Sequence, residues 1–134
     1  MKPDPSKRLI ELSELLHRQV HPSFLAEDGR PSRMAFEPTG KNEGYLSVSR
    51  DTCAKPEVAF QRHTEGRGLK SAGVWSVTVG ECDAQGAASF EDALPDDDAH
   101  ALIEFAGLSN SQAKQRADRL ADLARQRGRL HPPV

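Results

Sequence analysis

The chain reads as a single α+β domain, a mainly antiparallel sheet with packed helices including a long C-terminal one. Three observations predict this. Tyr45-Leu46-Ser47-Val48-Ser49 alternates in polarity with a period of two. Val74-Trp75-Ser76-Val77-Thr78-Val79 is rich in β-branched and aromatic residues. Ala113, Ala117, Leu120, Ala121 and Ala124 fall on one helical stripe behind a capping box of Ser109 and Gln112. A length of 134 residues suits one domain. Such a chain buries enough surface to build a core without metal or disulfide.

Residues 1–6 carry Pro3 and Pro5 and read as a loose segment, as does the tail 129–134. Leu9, Leu12, Leu15 and Leu16 fit a short amphipathic helix starting at Ser6. The alternation of Leu16, Arg18 and Val20 against His17, Gln19 and His21 fits a strand over 16–20 equally well. Pro22 ends either element. Asp28-Gly29 marks a turn. Arg33 to Glu37 predicts a short strand with Met34 and Phe36 on one face. It would pair with the strand at 45–49 through a turn over 38–44. Residues 54–63 predict a helix capped by Thr52, with Pro56 in its first turn and Gly66 and Gly68 ending it. The 74–79 strand carries apolar residues on both faces, which predicts a central place in the sheet. An acidic connection over 80–98, with a helical turn at 80–85, leads to a strand from Ala99 to Phe105. Gly128 stops the last helix.

The net charge of −2 argues neither for nor against nucleic acid. Cys53 and Cys82 lack metal-ligand spacing and read as reduced thiols. The N-terminus has no signal-peptide pattern, and no apolar run approaches the ~20 residues that cross a bilayer. A cytoplasmic protein is the expectation. Residues 81–104 carry acids and no Lys or Arg, whereas 109–134 is basic. Arg116, Arg119, Arg125 and Arg127 lie off the apolar stripe. They suit a solvated helix face and its dipole, or a surface for phosphate or an acidic partner. No aromatic stacking residue accompanies them, so a protein partner fits better than nucleic acid.

No complete catalytic or metal motif is present, which points away from an enzyme. His17 and His21 are four apart, but Pro22 follows and no Glu lies between them, a poor match to a zinc helix. No metal and no cofactor is expected. Ser47 and Ser49 share a strand face that would suit a sugar or phosphate, without the Gly-x-Ser-x-Gly elbow of a hydrolase. His63 sits near a helix end. His100 and Glu104 share one strand face. Cys82 would be reactive at a helix N-terminus and inert if buried, and burial is the expectation. Asp96-Asp97-Asp98 lacks the spacing of a calcium loop and reads as a solubilising turn.

The runs LHRQVHPSF, SRMAFEPTGKNEGYLSV, AGVWSVTVGEC and AHALIEFAGLSNSQ, with the basic last helix, resemble a family of small bacterial proteins without an established activity. The resemblance spans about residues 15–128. It implies a bacterial cytoplasmic protein of the kind encoded beside larger effector genes, and it passes on no catalytic residue. A fainter likeness is to ADP-ribosyl-transferring folds. These use a basic or polar residue on an early strand, a Ser-containing strand and a late acid. Arg18 or His17, Ser47 with Ser49, and Glu81 or Glu104 stand in that order here.

The leading expectation is therefore an accessory module that binds a partner protein, in an effector, immunity or defence operon. Its candidate binding residues are His17, Arg18, His21, Ser47, Ser49, His63 and His100. The alternatives are an ADP-ribosyltransferase-like, nucleotide-dependent enzyme and a nucleic-acid binder acting through the basic helix. The spatial arrangement of the histidines and serines separates them. Convergence in one pocket favours chemistry, and a flat patch favours docking.

Overall fold

The computed structural model describes residues 3–38 and 44–133. Its five strands are β1 (Leu15–Gln19), β2 (Tyr45–Arg50), β3 (Val74–Thr78), β4 (Ser89–Glu91) and β5 (His100–Glu104). They form one antiparallel sheet in the order β3-β1-β2-β5-β4. The α-helices are α1 (Pro56–Gln61), α2 (Val79–Ala84) and α3 (Asn110–Arg127). The chain is a single α+β domain with a long C-terminal helix. None of the described helices is long and apolar enough to cross a membrane.

Strand alternation sends Leu16, Val20, Leu46, Val48, Val77 and Ile103 to one face, where they meet Ala117, Leu120, Ala121 and Ala124 of α3. The small residues let the helix backbone approach the sheet closely. The predicted capping box is formed: Ser109 Oγ accepts from the Gln112 amide, and Gln112 Oε1 accepts from the Ser109 amide. Gly128 closes the helix at φ 90°, in the region that favours glycine.

Several expectations about individual elements are corrected. No α-helix runs from Ser6 to Leu16. Leu9 instead donates its amide to the Ser89 carbonyl, Ile10 and Leu12 are exposed, and the strand alternative over 16–20 is realised as β1. Leu16 packs beneath α3 while its neighbour His17 is buried on the opposite face, an alternation that a strand provides. Residues 33–37 are not a strand but a 3-10 turn over Arg33–Phe36, with Phe36 buried and Met34 exposed. A strand there has no slot, because β1 and β5 already flank β2. The predicted turn over 38–44 lies largely outside the described residues. Helix α1 is shorter than predicted, and the chain passes into a π turn over Arg62–Gly66. Thr52 does not cap α1, because its hydroxyl is spent on Glu14 Oε2 at 2.6 Å. Strand β4 is an element the sequence reading did not foresee.

β3 is an edge strand, not a central one. Its outer edge is met by the C-terminal segment instead of a further strand. The Leu130 amide donates to the Val74 carbonyl, the Val74 amide donates to the His131 carbonyl, and Arg127 donates to the Ser76 carbonyl. On the opposite edge, Arg8 bridges Phe90 and the Leu9 amide meets Ser89.

Gly73 is where the tail crosses β3. Its φ is 151°, and a Cβ there would lie 2.8 Å from the His131 carbonyl oxygen and 2.7 Å from Arg129 Cδ. Gly73→Ala is expected to lose about 1–3 kcal/mol of stability by forcing the tail away. Urea denaturation checks the loss, and faster tail cleavage in limited proteolysis checks its cause.

Candidate functional site: a histidine-lined pocket

The face of the sheet away from α3 carries a polar row. Register sets Ser76 of β3 beside His17 of β1, His17 beside Ser49 of β2, and Ser49 beside His100 of β5. Cross-strand partners share a face and sit side by side. A cavity of about 620 Å³ opens over this row. That volume lies within the range of small-molecule sites.

His17 is buried and uses both ring nitrogens. Asp51 Oδ1 lies 2.9 Å from Nε2, and Ser76 Oγ lies 2.7 Å from Nδ1. A carboxylate only accepts, so Nε2 carries the proton and the Ser76 hydroxyl donates to Nδ1. The spacing resembles a catalytic triad, but Ser76 has no exposed surface and does not line the cavity. The arrangement is a scaffold that holds the pocket floor.

Burial pushes the His17 pKa below its ordinary 6.5, against the pull of Asp51, which favours the charged ring. The folded state therefore resists protonating a group that the unfolded chain protonates readily. This contribution to stability is present above pH 6.5 and is lost as pH falls through 6.5 toward the lowered folded value. His63, also pushed down by burial, acts in the same direction. The urea midpoint is expected to drop across this window in the wild type and to drop less in His17→Gln. An equal drop in both proteins would exclude His17 as the source.

Arg18 lies deep in the protein with one side open to the cavity. The β1–β2 ladder registers only Leu16 with Arg50 and His17 with Ser49. Beyond it, Arg18 Nη1 donates to the Ser47 carbonyl at 3.0 Å and Nε to the Ala35 carbonyl at 2.8 Å. Burial lowers its pKa to about 10. No carboxylate pairs with it among the described residues. Around it stand His21, His63, Arg67 and Lys70. Burial lowers the His63 pKa, the Lys70 backbone pulls it up, and the positive charges of Arg67, Arg18 and His21 push it down again. These groups thus face a shared space. Among the described residues, Arg67 alone of these has an acidic partner, Asp97, at 3.0 Å.

The other ring tautomers follow from their partners. The Ser23 amide donates to His21 Nδ1 at 3.0 Å, so the neutral His21 ring offers an Nε2–H donor. His100 is the reverse. Its Nδ1 meets the Asp92 carboxylate at 2.9 Å and the Asp92 carbonyl at 3.1 Å. Both are acceptors, so Nδ1 is the donor and Nε2 of the neutral ring keeps its lone pair.

All seven binding candidates line this one cavity: His17, Arg18, His21, Ser47, Ser49, His63 and His100. The Ser47 and Ser49 hydroxyls have no bonding partner among the described residues. Glu81 and Glu104 do not line the cavity. Glu81 caps α2 and pairs with Arg127 at 2.9 Å, and Glu104 lies opposite Tyr45 at the strand end. The acid on the cavity wall is Asp97, which is buried and tied to Arg62 and Arg67 rather than forming part of a solubilising turn. Sequence reasoning missed Arg67, Lys70, Asp92 and Asp97. A basic, glycine-bearing run from Gly66 to Lys70 was the available signal.

The basic helix residues divide. Arg119 is exposed, and Arg116 is partly buried with its Nε lacking a partner among the described residues. Arg125 binds the Pro31 carbonyl and Asp122, while Arg127 binds Glu81 and the Ser76 carbonyl. The last two are fastened into the fold. Cys53 and Cys82 are free thiols, and burial raises Cys82 to about 12. No cluster of metal-ligating side chains occurs among the described residues.

Comparison with protein-family models, curated proteins and solved structures gives no match.

Proposed function

We propose that the cavity binds an anionic small molecule of nucleotide size, and that the protein is a nucleotide-dependent enzyme of the ADP-ribosyl-transferring kind. The observation that carries this reading is convergence. Histidines, serines and cations from separate segments of the chain meet around one cavity rather than spreading over a flat surface. Arg67, Lys70 and the His21 Nε2–H give the cavity donors and charge of the kind phosphate oxygens require. Leu69 and Leu94 are exposed and line the same cavity, which gives a planar base an apolar contact. Of the ADP-ribosyl-transferring likeness, Arg18, Ser47 and Ser49 line the cavity, whereas its acids Glu81 and Glu104 lie outside it.

Calorimetric titration with ADP-ribose and with inorganic pyrophosphate tests the reading. Both are expected to bind. Lys70→Ala is expected to weaken pyrophosphate by roughly tenfold, the value of one charge-assisted hydrogen bond. Absence of binding by both ligands overturns the proposal.

A second reading, an accessory module docking a partner protein, draws on Ile10 and Leu12, which are 84% and 57% exposed. It predicts that a stoichiometric partner co-purifies with the wild type and is lost in an Ile10→Ser, Leu12→Ser variant. Recovery of the same partner by the variant removes this surface from consideration.

A further inference from the structure

The cavity holds two histidines that an aspartate orients, and they are not equivalent. His17 is closed at both nitrogens, by Asp51 and by Ser76. His100 is closed at one. Its Nδ1–H is fixed between the carboxylate and the carbonyl of Asp92, and Nε2 has no partner among the described residues. The ring sits on the cavity wall beside Ser49, its register partner on β2, whose hydroxyl is likewise unbonded among the described residues. An imidazole held this way has the parts of an acid–base catalyst: a fixed tautomer, a lone pair open to the ligand space and a carboxylate behind it.

We propose that His100 is the proton acceptor of this pocket, oriented by Asp92 toward a hydroxyl or water bound beside Ser49. The substrate class is a phosphorylated compound bearing a hydroxyl, or one attacked by water. This rests on the cavity being a ligand site. In the step, the Nε2 lone pair forms a bond to the proton. The O–H bond breaks, and its electron pair stays on oxygen, which becomes the nucleophile. The resulting imidazolium keeps its Nδ1–H on Asp92, whose negative charge balances it. Asp92 is a positioning residue and His100 the group that meets the substrate. His21 cannot take this role in its neutral form, because the Ser23 amide occupies its Nδ1 and leaves a proton on Nε2. The pocket thus sets a donor ring at its cationic side and an acceptor ring at the Ser49 side.

The test needs no identified substrate. Ring tautomers are read by two-bond proton–nitrogen NMR on the full chain. Reactivity at each histidine is read by diethylpyrocarbonate labelling and mass spectrometry, with and without inorganic pyrophosphate. The expected result is an Nδ1–H tautomer for His100 and labelling of its Nε2 faster than that of the closed His17. Asp92→Asn is expected to slow His100 labelling several-fold. Restoration by Asp92→Glu of at least part of the rate separates orientation by a carboxylate from general packing. An Nε2–H tautomer, an unreactive His100, or an Asp92→Asn rate equal to wild type overturns the assignment. Protection by pyrophosphate addresses the other reading: its absence alongside fast His100 labelling counts against the anion site while the dyad stands.

Discussion

Glu14→Ala is expected to destabilise the protein by about 3–5 kcal/mol, as when one partner of a buried ion pair is removed. The Glu14 side chain is only 2% exposed. Burial pushes its pKa up, but the Arg50 guanidinium and the Thr52 hydroxyl outweigh this and hold it below its ordinary value. Arg50 donates to both carboxylate oxygens through Nε and Nη2, at about 3.1 Å, and Thr52 Oγ1 lies 2.6 Å away. Truncation leaves the Thr52 hydroxyl without its acceptor and Arg50 with Glu91 alone. It also loosens the turn that places Asp51 on His17. A lowered carboxylate pKa contributes stability above the unfolded value, 4.5 for Glu14, that is lost as pH falls through the folded value. Urea denaturation at neutral pH measures the cost, and Glu14→Gln should lose less because it keeps the shape. A Glu14→Ala loss below about 1 kcal/mol, the value of an exposed pair, would show that the cluster is not acting as a buried one.

Leu120→Ala is expected to cost about 2–5 kcal/mol, the range for truncating a buried leucine. Leu120 has no exposed surface, and its neighbours on the stripe are alanines, also without exposed surface. Alanines cannot move in to refill a leucine-sized space, so the cavity persists. The check is the denaturation midpoint at constant slope. A loss of less than about 1 kcal/mol would mean that α3 and the sheet close the gap by sliding.

The elements legible in the sequence are those whose pattern and tertiary setting agree. β2 alternates because one face meets α3, and α3 carries its stripe between a real capping box and a real glycine stop. Where the two conflict, the tertiary setting wins. Leu9 and Leu12 are spaced for a helix, yet Leu9 lies along the Ser89 edge and Leu12 is exposed. The edge position of β3 was illegible because the residues that cover it, Arg127 to His131, lie some fifty positions downstream. The binding candidates were visible as residue types on particular faces, but their convergence depends on strand order, which local pattern does not encode. Asp92 and Asp97 looked like ordinary members of an acidic connection. Only the folded chain gives each a specific partner, His100 for one and Arg62 with Arg67 for the other.

Both margins of the sheet are already occupied by the chain's own backbone, at Val74 on one side and at Ser89 and Phe90 on the other. An extended peptide adding a strand at these positions would first have to displace those segments. The same occupancy guards against edge-to-edge stacking in concentrated solution. Trimming residues 129–133 would expose β3, turning a discriminating surface into an adhesive one.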